Sequence, residues 1–521
     1  MKRKTLVVGA SAVAIVGAGT VVAVAPLAAE PEGEKDCGSV LPPSPSEPRA
    51  LPQAPIDWAQ RGGSANDASC LSRTPVAGIV TPRSERDVAT ALAQAKAAGL
   101  TVAPAGVRHS MGGQTLPRGG MQIDMRGLNR IELDAARSTV RVGAGATWHD
   151  IQNAIHPRFA VKAMQSTDIF SVGGSISVNA HGMDHRAGAI RDSIRSLRVM
   201  LADGKVVTAS RTENPELFDL VVGGYGLFGI ILSAEIEVVP NALYASQRAL
   251  LPTKDLPRKL EQVIADQSIG LMYAHLSTAP GSLLDEALIY TYHRTDDAGA
   301  ERAPLGDVSS VKFRRLTVNL AKRSSAFRSF KWWAEKNLEH RFETCTVTRA
   351  QAMKDGEACL VSRNDPMHDS VPYLRNAMKN DTDILQEYFV PRDRLIPFID
   401  GLRQVVRDQD ANLLNASIRV VDQEDNFLTY APAPAYSVVL YFNQRTDAKG
   451  NARMARLTSA LIDLTQKEGG RFFLPYQLHY DAAQLKRAYP QIGTFFAEKK
   501  KWDPEGRFSN RWYERFASEV S

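Results

Sequence analysis

The sequence contains little cysteine, and its cysteines are not spaced for metal or thiol chemistry. Only four occur in 521 residues, and no two stand as Cys-x-x-Cys. This excludes a cysteine-rich zinc module, a thiol redox motif and a scaffold held mainly by disulfides. Cys37 and Cys70 flank a proline-rich stretch, and Cys345 and Cys359 close a short loop. Two local disulfides are therefore predicted in an oxidising compartment, with four free thiols as the alternative.

The chain also has little excess of charge of either sign. The chain has 63 Lys and Arg against 57 Asp and Glu, a net charge of +6. The basic runs Lys2–Lys4 and Lys499–Lys501 contain no interleaved aromatic residues, so no nucleic-acid partner is expected. The hydrophobic fraction of 44% is ordinary for a globular protein, and the length allows two or three domains.

A long hydrophobic run occurs at the N-terminus. Lys2-Arg3-Lys4 precedes an uncharged stretch from Thr5 to Ala29 that is mostly Val, Ala, Gly and Leu. A basic start, an apolar middle and small residues at the end predict a signal for export to the periplasm or the exterior, cleaved after Ala25 or Ala29. The run is also long enough to remain as a membrane anchor, and both readings stay open. Residues 30–74 are predicted to be a linker and N-terminal extension.

Three familiar site motifs are absent or incomplete. Gly224–Gly229 matches G-x-G-x-x-G, but the β-branched, partly alternating run from Ile230 to Val239 predicts a strand where a dinucleotide site needs a helix. His181 and His185 stand four apart in a glycine-rich stretch without an intervening Glu, so no metal site is predicted. No serine stands in G-x-S-x-G, which leaves a hydrolase nucleophile unsupported.

Two parts of the chain differ in their pattern. In residues 75–240, the Ser84–Asp87 capping motif starts a helix that ends at Gly99, and Asp203-Gly204 predicts a hairpin. In residues 241–480, predicted strands and helices alternate, which indicates an α+β domain with a mainly antiparallel sheet. Residues 481–521 are predicted to be a tail of helices and loops. The predicted strands of the second part are Leu271–Leu276, Ala287–His293, Gln386–Val390, Leu413–Val421, Ser437–Phe442 and Phe472–Tyr476.

Two segments of small residues are the most informative feature. Ala105–Gly113 and Ser166–Gly182 lie about 60 residues apart. Small side chains let backbone amides approach an anionic ligand closely, and Arg108 adds a positive charge. A phosphate-bearing cofactor held between two strand-loop units is one interpretation. Two tight-turn regions without a ligand are the other.

Taken in order, these motifs resemble the FAD-linked oxidases of the vanillyl-alcohol oxidase type, which carry a PCMH-type FAD-binding domain. The resemblance covers residues 75–240 and more weakly 481–521. It implies an α+β fold with a two-subdomain FAD-binding domain at 75–240, a substrate or cap domain at 241–480, and a tail that packs back on the FAD-binding domain. The motifs are Thr81–Val88, Gly106–Ser110, Val142–Trp148, Ser171–Ser175, Ala180–Gly182 and Gly226–Ile231.

The resemblance implies FAD as the cofactor, bonded covalently to His109 through the flavin 8α-methyl group. Because Ser166–Gly182 contains no cysteine, a single covalent bond is expected. Ile230 or Ile231 is expected near the flavin ring. The other implied cofactor residues are Ala105, Gly106, Val107, Arg108 and Ser110 in the first loop, and Ser166, Ser171, Gly174, Val178, Asn179, Ala180 and His181 in the second.

Sugar-alcohol and aldonolactone oxidases are the nearest in pattern, with two departures. Tyr476 stands where they have a lysine, and their Glu-x-Arg pair reads Ser417-Ile418-Arg419. Gln386 and Tyr388 should share one face of a strand that resembles another wall of the site. The predicted catalytic residues are Tyr476, Arg419 and Tyr388, with Arg419 lowering the pKa of Tyr476 so that it acts as a base.

The predicted function is that of an exported FAD-dependent oxidoreductase. It would oxidise a hydroxyl group of a sugar, sugar lactone, polyol or other alcohol, and oxygen or another acceptor would reoxidise the flavin. The membrane would be a partner only through an uncleaved N-terminal segment. The alternatives are a non-catalytic flavin- or ligand-binding protein and an NADPH-linked cell-wall sugar reductase.

Overall fold

The computed structural model describes residues 27–29, 40–41, 58–295, 304–305, 311–338, 360–368, 378 and 380–520. Most of the predicted signal and part of the predicted linker fall outside these ranges. Cys37, Cys345 and Cys359 do so as well. Cys70 is disulfide-bonded, and the predicted pairings, which involve cysteines outside the described residues, stay predictions.

The elements are numbered in chain order. The strands are β1 Val40–Leu41, β2 Trp58–Arg61, β3 Ser64–Ala65, β4 Thr74–Pro75, β5 Gly78–Val80, β6 Val102–Ala105, β7 Met121–Asp124, β8 Ile131–Asp134, β9 Thr139–Gly143, β10 Phe159–Val161, β11 Ile194–Met200, β12 Val206–Ala209, β13 Ile230–Pro240, β14 Leu243–Pro252, β15 Ile269–Leu276, β16 Glu286–Arg294, β17 Leu360–Ser362, β18 Asp381–Pro391, β19 Asn412–Val421, β20 Ala435–Arg445 and β21 Arg471–Phe472. The helices are α1 Glu85–Ala97, α2 Trp148–Ile155, α3 Val172–Ser177, α4 Pro215–Val221, α5 Leu256–Ala265, α6 Val311–Ala321, α7 Ser325–Asn337, α8 Leu395–Asp408, α9 Ala448–Lys467, α10 Ala482–Ala488, α11 Ile492–Trp502 and α12 Arg511–Val520.

The first sheet of the N-terminal domain has the order β2-β5-β7-β6, and a small sheet of order β1-β3-β4 accompanies it. Ser84 caps α1 by accepting a hydrogen bond from the Asp87 amide, as predicted, and the Asp87 carboxylate accepts one from the Arg83 amide. The apolar face of α1, including Val88 and Leu92, is buried in the core beside the sheet. Because β2 pairs with β5, the sheet already begins inside the predicted linker of residues 30–74.

The second sheet of this domain has the order β12-β11-β13-β9-β8, with β10 also paired to β13. The run after Gly229 is indeed a strand, β13, and this confirms that the G-x-G-x-x-G motif does not open a helix. The predicted hairpin at Asp203-Gly204 is confirmed as well, because β11 pairs antiparallel with β12. The two sheets together give the predicted two-subdomain architecture.

The cap domain is built on one sheet of order β17-β14-β16-β15-β19-β20-β18-β21, in which the neighbouring strands pair antiparallel. The predicted α+β class with a mainly antiparallel sheet is therefore confirmed. The predicted strand Phe472–Tyr476 is much shorter than expected. Only Arg471 and Phe472 pair with β18, and the chain then turns towards the N-terminal domain.

The tail, residues 481–520, packs on the N-terminal domain as predicted. The Val102 amide donates to the Arg507 carbonyl over 2.7 Å, and the Ser509 amide donates to the Val102 carbonyl over 3.0 Å. Phe508 between them is fully buried in the core that also contains Val88 and Val102. Within the described residues, no helix has the length and apolar composition needed to traverse a bilayer.

Candidate active site

The two small-residue segments meet across a cavity in the N-terminal domain. A Cβ placed on Gly106 would lie 1.9 Å from Ser171 Oγ, so the two loops are in direct contact. The cavity opens to solvent and offers about 550 Å³ of empty space, part of which is open solvent, and its wall is formed by both loops and the start of β13. The lining residues predicted from the sequence are Gly106, Ser110, Gly174, Val178 and Ile231.

Further residues line the cavity. Gly173 and Ser177 lie inside the predicted second segment, Ala144 belongs to the motif Val142–Trp148, and Gly226 and Gly229 belong to the motif Gly226–Ile231, although none of these was predicted individually. Only the folded chain brings the remaining lining residues to the cavity, and these are Pro104, Gln114, Thr115, Met125 and Tyr225.

The cavity fits a flavin dinucleotide by two observations. It has room along its wall because its glycines leave no side chains there, and a Cβ on Gly106 or Gly226 would meet neighbouring atoms at 1.9 or 3.0 Å. Ser166 Oγ in the second loop is buried without a hydrogen-bond partner among the described residues. A buried unpaired hydroxyl costs free energy, and a polar cofactor atom would remove this cost.

Two implied cofactor residues contact the protein instead. Arg108, predicted to supply positive charge, is 6% exposed, donates to Gln122 Oε1 over 3.3 Å and lies 3.8 Å from Asp124 Oδ2. Asp124 therefore offsets the positive charge that Arg108 was predicted to add, and the place of Arg108 in the cofactor loop stays a prediction. Ile230 packs in the core with Met200, so Ile231 is the isoleucine at the cavity.

The remaining implied residues surround the cavity without lining it. Ala105 ends β6, and Ala180 is buried and bonded to Ile190 through its carbonyl. Val107 stands next to Arg108. His109 packs edge-on against Phe170 with 5.0 Å between ring centroids, so it touches the second loop from the first.

The first loop is tied to the end of the cap sheet. The Met111 amide donates to the Pro475 carbonyl over 2.6 Å, and Gln114 Nε2 donates to the Leu474 carbonyl over 2.8 Å. These bonds place Tyr476, predicted to be catalytic, directly beside the loop that carries His109.

A cluster of polar side chains centred on Glu387 lies where the cap sheet meets both loops. Glu387 Oε1 accepts hydrogen bonds of 2.6 Å from His181 Nε2 and Ser437 Oγ, and Oε2 accepts one of 3.3 Å from the Tyr476 hydroxyl. Glu387 and His181 are buried, while Tyr476 and Arg419 are partly exposed. The cluster therefore joins an interior hydrogen-bonded pair, His181 and Glu387, to groups that solvent or a substrate reaches.

The Glu387 carboxylate is ionised at neutral pH. Burial by itself raises its pKa, but the charge of His181, hydrogen bonds from His181 and Ser437 and the positive charge of Arg419 outweigh burial, so the pKa lies below its ordinary value. Burial lowers the pKa of Arg419, which Glu387 partly opposes. Arg419 Nε is itself buried and has no partner among the described residues.

Tyr476 is held in its protonated form, contrary to the prediction that Arg419 would make it a base. Burial raises the pKa of Tyr476 well above its ordinary value, and the negative charge of Glu387 adds to this effect. Arg419 opposes the shift but does not reverse it. The Tyr476 hydroxyl is therefore a hydrogen-bond donor in this cluster.

Tyr388 does not belong to the cluster. Gln386 and Tyr388 share a face of β18, as predicted, and the Tyr388 hydroxyl donates to Gln386 Oε1 over 2.6 Å. That face is turned towards the helices, because Tyr388 packs on Phe398 of α8 and Gln386 donates to Thr458 of α9. The interpretation of Tyr388 as a site residue is wrong, because its side chain lies on the face of β18 opposite to that of Glu387.

Glu387 is the residue that sequence reasoning missed. Side chains alternate along a strand, so turning Tyr388 towards the helices turns Glu387 to the other face, where Arg419 and Ser437 are paired across β19 and β20. Tyr273 on β15 also lies on this side, since its charge influences the pKa of Arg419. The signal was a single carboxylate within the mostly apolar half of β18, Ile384–Val390, followed closely by a helix.

A second cluster ties the loop Ser166–Gly182 to the cap. His149 Nδ1 and His368 Nδ1 lie 2.8 and 2.9 Å from Asp168 Oδ2, and the two imidazole rings stack at 4.5 Å. Because both imidazoles already contact the carboxylate, these distances describe a hydrogen-bonded clamp. It holds the second loop between α2 and the cap segment 360–368.

Asn179 in the second loop contacts the cap loop that follows β19. Its Nδ2 donates to Glu424 Oε2 over 2.8 Å, and its carbonyl accepts from the Tyr430 hydroxyl over 2.9 Å. Burial raises the pKa of Glu424 from 4.5 to about 8, although hydrogen bonds from the Tyr430 and Ala431 amides favour the charged form. Glu424 is therefore mostly protonated at neutral pH.

This raised pKa predicts a pH-dependent stability. Between pH 4.5 and about 8 the folded protein keeps a proton on Glu424 that the unfolded chain releases, so the stabilisation is present at acid pH and is lost as the pH rises through about 8. Glu424→Gln should remove roughly 5 kcal/mol of this pH dependence. The measurement is denaturant unfolding of both proteins at the two ends of the range. Asp425→Asn, an exposed neighbour, is the control; equal wild-type and Glu424→Gln pH dependences would contradict the prediction.

Two family models match the chain. The model described as an FAD binding domain matches residues 76–210, and the model described as D-arabinono-1,4-lactone oxidase matches residues 235–516, more than half of the chain. The chain belongs to the D-arabinono-1,4-lactone oxidase family. The predicted PCMH-type FAD-binding domain and FAD cofactor are thereby confirmed.

Curated relatives are similar over shorter stretches. An uncharacterized oxidoreductase of the fasciation locus of Rhodococcoides fascians is 34% identical over 33% of this chain and 40% of its own length. Decaprenylphosphoryl-beta-D-ribose oxidase of Mycolicibacterium smegmatis is 33% identical over 34% of this chain and 38% of its own. Cytokinin dehydrogenase 1 of Oryza sativa is 35% identical over 32% and 33%. The chain thus spans 40% or less of these relatives.

Proposed function

We propose that this family member oxidises a hydroxyl-bearing carbon of a sugar, sugar lactone, polyol or other alcohol, and that it works after export. The observation that carries this proposal is the buried His181–Glu387 pair beside the two cofactor loops. Alcohol oxidation removes a hydride from the carbon and a proton from the hydroxyl group. The proton needs a positioned acceptor. Bound FAD would supply the hydride acceptor, and oxygen or another oxidant would restore it.

His181 is the proton acceptor in this proposal. Its Nε2 faces the ionised Glu387 carboxylate and therefore carries a proton, while its buried Nδ1 has no partner among the described residues. In the neutral imidazole this Nδ1 holds a lone pair, so it can accept a hydrogen bond and then the proton from a substrate hydroxyl. Glu387 orients the ring and stabilises the imidazolium that forms, which is the role of the carboxylate in a nucleophilic triad.

Arg419 and Tyr476 orient the substrate. Both are partly exposed, and both offer donors, because Arg419 is a cation and Tyr476 is held protonated. Donors at this position favour a substrate rich in oxygen atoms, such as a sugar or lactone. One of the similar proteins, decaprenylphosphoryl-beta-D-ribose oxidase, is named for the oxidation of a sugar derivative.

The test is direct reduction of the bound flavin by candidate substrates. FAD-loaded protein is mixed anaerobically with alditols, aldonolactones, hydroxylated aromatic compounds and sterols, and loss of flavin absorbance is recorded. Bleaching by an alcohol, followed by peroxide formation when oxygen is admitted, supports the proposal. Bleaching by NADPH alone favours a reductase, and no bleaching by any donor favours a binding protein.

We also propose that His109 bonds covalently to the flavin. It lies on the first loop and contacts Phe170 of the second, at the junction of the two cofactor segments. His109→Ala should release all flavin into the supernatant after acid precipitation, while wild-type precipitate should stay yellow. His149→Ala, which alters a histidine of the interdomain clamp, is the control and should leave the colour in the pellet. Colourless wild-type precipitate would rule out the bond.

A further inference from the structure

A helical hairpin on the cap domain buries several polar and basic side chains and exposes several aromatic ones. It consists of α6 and α7, residues 311–338. Besides Val318 and Ala321, the side chains buried on α6 are Arg315 and Asn319, both 1% exposed. Lys322, directly after the helix, is also buried and pairs with Asp383. Soluble helices normally bury apolar residues and expose polar ones, so this reversal calls for a reason.

The outward surface of the same hairpin is aromatic. Phe313 is 59% exposed and Trp333 is 49% exposed, and Phe327 and Phe330 are exposed as well. Phe327, Phe330 and Trp333 follow at intervals of three on one side of α7, and the rings of Phe330 and Trp333 stack at 5.8 Å. Trp332, by contrast, is buried and donates from Nε1 to Glu286 Oε2, which fixes α7 to the cap sheet.

The hairpin also holds the positive charge of the protein. Residues 311–338 contain eight Lys or Arg and one Glu, a net charge of +7, while the whole chain has +6. The rest of the chain is therefore nearly neutral. Lys312 and Arg323 on this hairpin are exposed, and Arg314 and Arg328 are partly exposed. Three other basic residues are paired with carboxylates: Lys322 with Asp383, Lys331 with Glu335 and Lys336 with Glu286. Exposed aromatic rings beside basic groups are typical of helices that lie on anionic membranes.

The N-terminal apolar run ends on this hairpin. Leu27 is 6% exposed, and its carbonyl accepts a 2.7 Å hydrogen bond from Asn319 Nδ2. The Ala28 carbonyl accepts from Arg315 Nη1 over 3.3 Å. The polar residues buried in α6 are thus used to hold the end of the segment that the sequence predicts to be a signal or an anchor.

We propose that the hairpin 311–338 docks on the surface of an anionic phospholipid bilayer, next to the point where the N-terminal apolar run meets the protein. The basic groups face the headgroups, and Phe327, Phe330 and Trp333 enter the interface. This docking is a second membrane contact, distinct from the N-terminal segment, and it does not depend on the proposed oxidation.

The first experiment measures binding of the full FAD-loaded chain to vesicles. Vesicles of phosphatidylcholine alone are compared with vesicles of equal parts phosphatidylcholine and phosphatidylglycerol. Hydrogen exchange of residues 311–338 should slow on the anionic vesicles, and the slowing should disappear at high salt. If only the N-terminal segment binds, exchange in the hairpin will be the same on both vesicles, which overturns the proposal.

The second experiment changes the surface itself. The triple variant Phe327→Ser, Phe330→Ser and Trp333→Ser should lose the hairpin protection and bind anionic vesicles about tenfold more weakly or worse. Leu133→Ser, at an exposed leucine on β8 of the other domain, is the matched control and should bind as wild type. Equal losses in both variants would overturn the proposal.

A third readout needs no destabilising change. Lipids brominated in their acyl chains quench nearby tryptophan, so they should quench wild type more than Trp333→Phe, which keeps an aromatic ring. Equal quenching would place Trp333 outside the bilayer. If hydrogen exchange in the hairpin instead slows as the protein concentration rises, without any vesicles, this surface binds a second copy of the chain and the proposal is overturned.

Discussion

Glu387→Gln is expected to slow flavin reduction by substrate about 10²- to 10⁴-fold, the range attributed to a positioned acid–base group. The amide has nearly the same shape and still accepts a hydrogen bond from His181 Nε2, but it carries no charge. Without the carboxylate the imidazolium formed at His181 loses its counter-charge, and Arg419 loses the anion beside it. The measurement is stopped-flow bleaching of the flavin at saturating substrate.

Two controls separate this effect from damage to the fold. Tyr388→Phe removes a hydroxyl from the adjacent residue on the opposite face of β18 and should leave the bleaching rate unchanged. The flavin content and visible spectrum of Glu387→Gln should match wild type, because Glu387 does not line the cofactor cavity. A wild-type bleaching rate in Glu387→Gln would refute the proposed pair.

Gly106→Ala is expected to weaken FAD binding roughly 10- to 100-fold, which corresponds to an overpacking cost of ~1–3 kcal/mol. The new Cβ would lie 1.9 Å from Ser171 Oγ and 2.8 Å from Ser171 Cβ, so one of the two loops must move away from the cavity. Equilibrium dialysis of the apoprotein in the His109→Ala background, where no covalent bond forms, measures the loss.

The same contact provides a rescue. Adding Ser171→Gly to Gly106→Ala removes both atoms that the new methyl group meets and should restore most of the FAD affinity. Gly281→Ala is the matched control, because nothing lies within 4 Å of a Cβ built there. If the double variant binds FAD no better than Gly106→Ala, the contact between the loops is not the cause.

Local pattern was sufficient for most of the fold. Capping at Ser84, the hairpin at Asp203-Gly204 and the β-branched run after Gly229 each depend on neighbours in sequence, and each was predicted correctly. The strand assigned to Phe472–Tyr476 was too long, since its pairing with β18 ends after Phe472 for reasons of sheet geometry. Residues of the α6–α7 hairpin were not singled out, because its apolar residues face outward.

The candidate site also combines residues that the sequence predicted with residues that only the structure identified. The two loops and Ile231 were identified by the resemblance of short motifs. The partner of Arg108 was not, because Asp124 approaches it from another strand of the first sheet. The roles of Tyr476 and Tyr388 were misjudged because protonation state and strand parity both depend on what packs around the side chain.

The sequence alone determined that the chain is an α+β protein with an FAD-binding domain, a cap and a returning tail, because these follow from periodicity and from motifs read in order. The tertiary structure decided which charges meet. Glu387, His181, Arg419 and Tyr476 come from four separate segments, and only the pairing of strands and the docking of loops bring them together. Likewise, the basic and aromatic residues of 311–338 gained meaning only when the folded hairpin showed which of them are exposed. Contacts between distant segments set both the protonation and the exposure of these groups, and sequence spacing does not encode them.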